Sequence, residues 1–204
     1  MPRISKDPQE RRNELIDAAE RLFDERGFEE TAVSHIVQAV KVAQGTFYCY
    51  FATKTEVLEA VVRKKIDLLL AGIQEIVEAP AMDAGTKLAG IINRLFHEFA
   101  AGRRLQEYLN QESNLVMREK LRSMVIARLK PVTAAIIQEG VAKGRFQVRH
   151  PAEMAGVLVV ALIDMLQNPD HHVQAGPRAR LRETFDQLFT RALGAKAGSI
   201  PLDG

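Results

Sequence analysis

The first helix predicted by the hydrophobic pattern begins near Asp7 and ends at Gly27. Apolar side chains recur at helical spacing along one face of this segment, at Leu15, Ile16, Ala19, Leu22 and Phe23. Asp7 before Pro8 is typical of a helix start, because aspartate caps free backbone amides and proline suits the first helical position. Glycine often follows the last helical residue, as Gly27 does here.

Two short helices joined by a tight turn are predicted next. The first follows Thr31, a plausible N-cap, and carries an apolar stripe, at Val33, Ile36, Val37 and Val40. The pattern breaks at Lys41-Val42, and the second short helix is predicted over 43–51. Each spans about two turns, and the turn between them has about three residues, which is the spacing of a helix-turn-helix.

The rest of the chain also shows helical patterns. Thr53 to Glu56 form a capping box that opens a long helix ending before Pro80. Further helices are predicted at 85–101, 104–114, 118–143 and 151–167, and a last amphipathic helix follows a loop at 169–176. We therefore expect an all-α fold, with an N-terminal three-helix helix-turn-helix DNA-binding domain over 1–56. A C-terminal helical ligand-binding and dimerisation domain is expected over 57–204.

Composition adds limits on class and location. The chain has 204 residues, 47% of them apolar and 26% charged, which fits an ordinary globular protein. A single cysteine, Cys49, excludes an internal disulfide. The N-terminus has no apolar run typical of a secretory signal, and the longest apolar stretch, 154–163, is about half of a bilayer span. We expect a cytoplasmic protein with no membrane partner.

The distribution of charge is more informative than the net charge of +2. Between Glu30 and Glu56 there is no acidic residue, whereas His35, Lys41 and Lys54 are present. A surface that meets phosphates is expected in this segment.

The stretch QGTFYCYF, from Gln44 to Phe51, carries the candidate chemistry. Phe47 and Phe51 are four residues apart and share a buried helix face, so the polar side chains fall on other faces. Gln44 lies at the end of the helix that enters a major groove in this motif, and glutamine can donate to and accept from adenine. Gly45 lets a DNA backbone approach closely. The hydroxyls of both tyrosines and the Lys54 amine suit phosphate oxygens, although each tyrosine alone also fits half-buried packing.

The segment from Arg12 to Val61 resembles the N-terminal domain of TetR/AcrR-type transcriptional repressors. The matching positions are Ile16, Ala18, Ala19, Leu22, Phe23, Gly27, Phe28, Thr31, Ile36, Val42, Gly45, Thr46, Phe47, Tyr48, Tyr50, Phe51 and Lys54. The resemblance implies a homodimer with two DNA-binding heads, bound to double-stranded operator DNA and released when a small-molecule effector binds the C-terminal domain. The candidate DNA contacts are Thr31, His35, Gln44, Gly45, Thr46, Tyr48, Tyr50 and Lys54.

Two positions depart from the family pattern. Lys41 stands where a glycine is common, and a lysine in a left-handed conformation costs roughly 1–2 kcal/mol. Ala43 stands where serine or threonine usually caps the helix, and such a cap is worth about 1 kcal/mol.

The nearly all-apolar helix at 151–167 needs cover on most sides. We expect the last two helices to form the homodimer interface, as a four-helix bundle with those of a second copy. An internal core helix is the alternative. Asp164, among apolar neighbours, is expected to pair with an arginine across that interface, and the alternative is that it lines a pocket.

The middle helices offer candidate effector contacts that combine aromatic, methionine and a few polar side chains. They are Phe96, His97, Phe99, Tyr108, Asn114, Met117 and Met124. Ordinary core packing explains each of them equally well. An amphipathic or lipophilic effector would suit such a set.

Catalytic and metal motifs do not emerge. His97-Glu98 begins like a zinc-protease helix, but position 101 is alanine, and His171-His172 lies in a predicted loop without a ligand set. We expect no cofactor, no metal and no enzymatic activity. The alternatives are a small-molecule-binding helical protein that does not bind DNA and, with no motif in its favour, an enzyme.

Overall fold

The computed structural model describes residues 7–101, 103–167 and 175–196, and positions 198, 200 and 202. Within these residues the secondary structure is helical, with no β-strand, as the sequence predicts. The helices are α1 (Pro8–Arg26), α2 (Val33–Val40), α3 (Gln44–Tyr48), α4 (Lys54–Glu78), α5 (Ala84–Ala101), α6 (Arg103–Leu109), α7 (Leu115–Ala142), α8 (Pro151–Gln167) and α9 (Ala175–Ala192), with a 3₁₀ turn, η1, at Glu112–Asn114.

Residue contacts divide the chain into two compact units, one up to Asp67 and one from Leu68 onward. We call them the head and the C-terminal unit. The division falls inside α4, eleven residues beyond the predicted domain boundary between residues 56 and 57. The residues of α4 up to Asp67 belong to the head because they pack on it. The functional boundary between residues 56 and 57 remains a prediction.

The head is built around α1. The Asp7 carboxylate caps this helix by accepting from the Gln9 backbone amide at 2.7 Å, and Gly27 ends it with φ +87°. The apolar stripe predicted from the sequence is buried, and Phe47 and Phe51 complete the same core. Ile36 and Val37 of α2 also point inward. Burying a side chain of this size stabilises a fold by about 1.5–3 kcal/mol.

A row of ion pairs joins α4 to α1 within the head. Lys64 Nζ lies 2.7 Å from both an Asp17 and a Glu20 carboxylate oxygen. Lys65 Nζ lies 3.1 Å from Asp24 and 3.5 Å from Glu20. Since the pairs connect residues more than forty positions apart in sequence, they explain why α4 groups with α1 as far as Asp67.

The C-terminal unit is organised around α7 and α8, which pack along each other. Helix α7 continues through Pro131 and ends at a turn in which Gly144 has φ +67°. Gly140 leaves room for the buried Phe146 ring, which a side chain at that position would overlap. The inward face of α8 carries six buried side chains, Ala155, Leu158, Val159, Leu162, Ile163 and Leu166.

Several predicted boundaries in this unit were wrong. The helix predicted at 104–114 is divided into α6 and η1, and α9 begins at Ala175, inside the predicted loop. His171 and His172 lie outside the described residues. Asp164 is 70% exposed, and its carboxylate lies 3.2 Å from the guanidinium of Arg122 in the same chain, so an arginine of this chain already pairs with it.

Candidate nucleic-acid interface

Helix α3 is short and is held by two buried aromatic rings. Phe47 and Phe51 are 0% and 3% exposed, with ring centroids 5.6 Å apart. The helix ends at Tyr48, three residues earlier than predicted, and Cys49 and Tyr50 continue as a turn. With its two phenylalanines inside the head, α3 turns its other side chains outward.

The outward side of α3 contains most of the predicted DNA contacts. Gln44, Gly45 and Tyr48 are exposed, with Tyr48 at 53%, while Thr46 and Tyr50 are half-buried. The Tyr48 ring packs edge-on against Phe47, with centroids 5.5 Å apart, and this contact fixes where its hydroxyl projects. The structure therefore brings five of the eight predicted residues together on one short helix and the turn that follows it.

The fold of the head does not require a glycine at position 45. A Cβ added to Gly45 would have no heavy atom within 4 Å, and its φ is not positive. A glycine inside a helix destabilises it by roughly 0.5–1 kcal/mol relative to alanine. The open space outside this position would allow another backbone to approach closely.

The turn before α3 shows both departures from the family pattern. Lys41 adopts φ 58° and ψ 46°, the left-handed conformation, and its amide donates to the Gln38 carbonyl at 3.1 Å. Ala43 is the N-cap of α3 and supplies no side-chain hydrogen bond. The turn is therefore formed at a conformational cost of roughly 1–2 kcal/mol at residue 41.

Thr31 and His35 serve the start of α2. The Thr31 side chain is fully buried, and its hydroxyl donates to the carbonyl of Gly27 at 2.7 Å. The N-cap of α2 is Ala32 rather than the predicted Thr31, and His35 Nδ1 accepts from the Ala32 amide at 3.2 Å. A DNA contact by the Thr31 side chain does not fit this position, since its hydroxyl faces the interior of the head.

Lys54 is held more tightly than the sequence suggested. Its ammonium donates to the carbonyls of Phe28, at 2.7 Å, and Glu29, at 3.3 Å. It also lies 4.1 Å from the centroid of the Phe28 ring, a cation–π contact. Two of its three protons are committed to the head, which leaves one for a phosphate.

The carboxylates of the head lie mainly on α1, where α4 neutralises several of them. Hydrogen bonds that the Lys64 ammonium donates, first to Asp17 and then to Glu20, raise the pKa of Lys64 above its ordinary value. The segment between Glu30 and Glu56, by contrast, has no carboxylate of its own. The segment that contains α3 thus adds no negative charge of its own that would repel a nucleic acid. Two carboxylates of α1, Glu14 and Asp17, line a cavity together with Ala39 and Val40 of α2.

The candidate effector contacts in the C-terminal unit differ in how deeply they are buried. Phe96 is 6% exposed and packs against Phe185, with centroids 5.9 Å apart in a T-shaped arrangement. His97 is exposed, and five others are half-buried, at Phe99, Tyr108, Asn114, Met117 and Met124. The amide of Asn114 donates to the Tyr108 carbonyl at 2.9 Å, which joins η1 to the end of α6. Phe96 is therefore a core residue.

One polar feature of this unit could not be read from the sequence. The Nε of Arg122 and the hydroxyl of Thr190 are buried without a hydrogen-bond partner among the described residues. Both belong to helices with a regular apolar pattern, so periodicity gives no signal for them.

No helix in the described part of the chain is long and apolar enough to cross a membrane. Nor do the described residues include a cluster of three or more side chains suited to a metal ion.

Helices α8 and α9 expose apolar side chains on the described surface. Val157 is 67% exposed and Val160 36%, three residues apart on one face of α8. Leu188 of α9 is 39% exposed. Exposed single apolar residues are common, but two on adjacent turns of the most apolar helix form a patch.

Proteins of known kind resemble this chain in sequence and in fold. The family described as "Bacterial regulatory proteins, tetR family" matches residues 15–61. The fatty acid metabolism regulator protein of Bacillus subtilis (strain 168) is 28% identical over 154 residues, or 74% of this chain and 78% of the relative. The regulator TtgR of Pseudomonas putida is 27% identical over 176 residues, or 80% of this chain and 81% of the relative.

A solved structure shows the same architecture. The fatty acid degradation regulator FadR from Bacillus halodurans superimposes with a TM-score of 0.66 at 25% identity, covering 94% of this chain and 100% of the other. All three of these proteins are named as regulators and none as an enzyme.

Proposed function

Because this chain belongs to the TetR family of transcriptional regulators, we propose that it is a homodimeric repressor released from a near-palindromic operator by a small, largely apolar effector. It is a ligand-responsive DNA-binding protein and not an enzyme, as the sequence predicts. We expect it to act in the cytoplasm, where its operator would lie.

The observation that carries the DNA contact is the free outer side of α3. Gln44 is exposed at the first turn of this helix, where the motif meets base edges. Gly45 beside it leaves open space, and Tyr48 offers an exposed hydroxyl. We assign base reading to Gln44 and close backbone approach to Gly45. Tyr48, Tyr50, Thr46 and the remaining Lys54 proton are assigned to phosphates.

A single head has few cations, so affinity requires two. Two heads on successive major grooves, about 34–36 Å apart, would add their contacts. The exposed valines of α8 and Leu188 of α9 support an interface between copies at these helices, because burial there would remove apolar surface from water. We propose that this surface forms a four-helix bundle with its symmetry mate.

For the effector we propose an acyl-chain compound as the first class to test. Two of the named relatives are regulators of fatty acid metabolism or degradation. The half-buried Met117 and Met124 of α7 support this choice, since methionine adapts to flexible apolar ligands. Saturating fatty acids or their thioesters should release a labelled operator in a mobility-shift titration.

The DNA region upstream of the chain's own gene provides the test of operator recognition. Wild-type protein should prefer that fragment to random duplex of equal length at moderate salt. Gln44→Ala should lower the preference by about 1–3 kcal/mol, or roughly 5- to 150-fold, while binding to random duplex stays constant. Gln138→Ala, which removes an exposed glutamine from α7, is the matched control and should change neither.

If wild-type protein bound both duplexes equally, the chain would instead be a small-molecule-binding helical protein without operator recognition. Binding of fatty acids in the absence of any DNA preference would support that alternative directly.

A further inference from the structure

Lys41 is held in a conformation that disfavours lysine. Among the described residues it is the one non-glycine residue with positive φ, at 58°. A left-handed backbone brings Cβ close to the following carbonyl, so glycine or asparagine is the residue that usually fills such a turn. Residues held in sparsely populated backbone regions are concentrated at functional sites, and the strain at Lys41 therefore requires an explanation.

The fold itself makes no visible use of this side chain. Lys41 is exposed, and its ammonium has no ion pair or hydrogen bond within the described part of the chain. Three other lysines of the head, by contrast, all have partners: Lys54 binds two carbonyls, and Lys64 and Lys65 bind carboxylates of α1. With no acidic residue between Glu30 and Glu56, nothing nearby in sequence offers Lys41 a counter-charge.

We propose that the Lys41 ammonium binds a phosphate of the DNA backbone beside the base pair that Gln44 reads. This inference rests on the proposed function. Gln44 is three positions after Lys41, so their Cα atoms are at most about 11 Å apart. Because the major groove is about 12 Å wide and phosphates line both of its walls, a long side chain at that distance from a base-reading residue can reach a phosphate.

The contact also ranks the two lysines that flank α3 in sequence as phosphate ligands. The amine of Lys54 has one proton left after its two carbonyl bonds, whereas all three protons of the Lys41 ammonium are available within the described residues. Lys41 thus supplies a sequence-independent contact that sets register on the duplex, and Gln44 supplies base preference.

The decisive variant is Lys41→Gly, which removes the charge and relieves the strain together. Thermal unfolding should shift upward by about 1–4 °C, since glycine tolerates positive φ. Operator and random duplex should both bind more weakly, by about tenfold at moderate salt. The slope of log affinity against log salt should fall by about 0.9 for each lost phosphate contact, or about 2 for a dimer.

Three further variants separate charge from backbone shape. Lys41→Arg keeps the cation and should retain the salt slope of the wild type. Lys41→Asn tolerates the left-handed conformation without the charge and should behave as Lys41→Gly does on DNA. Lys196→Ala removes an exposed lysine that follows α9 and lowers net charge equally, so it should leave the slope unchanged.

The role of Lys41 would be overturned if Lys41→Gly and Lys41→Asn kept the wild-type salt slope. The proposed function would still stand, provided that the wild type preferred the upstream fragment. A lowered slope in Lys41→Arg would overturn the role of Lys41 as well, since the loss would then follow the shape of the turn. If the wild type itself showed no preference, the proposed function would fail first.

Discussion

The head and the C-terminal unit present surfaces of opposite character. Around α3 the head exposes polar groups, Gln44 and Tyr48, beside a glycine and without carboxylates from its own segment. Along α8 the C-terminal unit exposes Val157 and Val160. A polar segment that carries no negative charge of its own suits a phosphate-bearing partner, whereas an apolar patch suits another apolar patch.

The proposed dimer would allow one short chain to bind DNA with few cations. In it the head would contribute shape and hydrogen-bonding groups, and the C-terminal unit would bring in a second head by pairing with a copy of itself. Single substitutions can disrupt either surface without altering the other.

The largest effect is expected from a charge in the apolar patch, Val157→Asp. At 67% exposure the side chain is replaceable within one protomer, but a carboxylate there would lose its water in the interface. Sedimentation equilibrium should show monomer, and operator affinity should fall by about 10²–10⁴, the gain that linkage of two heads provides.

The matched control for this variant is Val116→Asp, on the first turn of α7. Val116 is 85% exposed, so the same substitution adds the same charge outside the patch. Val116→Asp should remain dimeric and bind the operator. A Val157→Asp protein that stayed dimeric with full affinity would place the interface elsewhere.

The next effect is expected from Gly45→Ala, which alters only the head. The added methyl meets no protein atom within 4 Å, and alanine is the better helix former, so stability should rise by about 0.5–1 kcal/mol. DNA held against α3 would have to withdraw, and we expect affinity to fall by about tenfold or more, as overpacking typically costs 1–3 kcal/mol. Calorimetry and a binding isotherm on one preparation measure both.

Gly27→Ala provides the contrast. An added Cβ at Gly27 also meets no atom within 4 Å, but its φ of +87° strains any side chain, so this variant should lower stability. If Gly45→Ala bound the operator as tightly as the wild type, no backbone would approach closely at this position.

Most of the head's design could be predicted from local sequence. Helix caps at Asp7 and Thr53, the burial of Phe47 and Phe51, and the strained turn at Lys41 depend on neighbours within a few residues. Such features follow from spacing and from the conformational preferences of single residues.

Features that depend on distant partners could not be predicted. From sequence alone, Lys54 is a free phosphate ligand, but its ammonium donates to the carbonyl of Phe28, 26 residues earlier. Thr31 resembled an exposed cap until its hydroxyl was found bonded to the carbonyls that end α1. Phe96 could not be assigned to core or pocket without Phe185. Each outcome is decided by tertiary contacts that leave no periodic signal.

The smallest expected difference between the units is in the pH dependence of their stability. In the C-terminal unit, hydrogen bonds from Lys143 and then Lys87 hold the pKa of Glu139 below its ordinary 4.5. In the head, Asp17 and Glu20 hold the pKa of Lys64 above its ordinary 10.5. A lowered carboxyl pKa stabilises the fold above pH 4.5 and is lost as pH falls through the folded value, whereas the contribution of Lys64 is lost only as pH rises above 10.5.

Glu139→Gln and Lys64→Met should therefore have opposite pH windows. At neutral pH each variant should unfold more easily than the wild type by less than about 1 kcal/mol, since these pairs are partly exposed and solvent screens them. The deficit of Glu139→Gln should shrink as pH falls from 4.5 through the lowered pKa of the folded carboxyl, because the wild-type carboxyl is then protonated as well. Denaturant titrations from about pH 3 to pH 7 measure this closing, and a deficit that stayed constant over that range would mean that Glu139 stabilises α5 and α7 by packing rather than by charge.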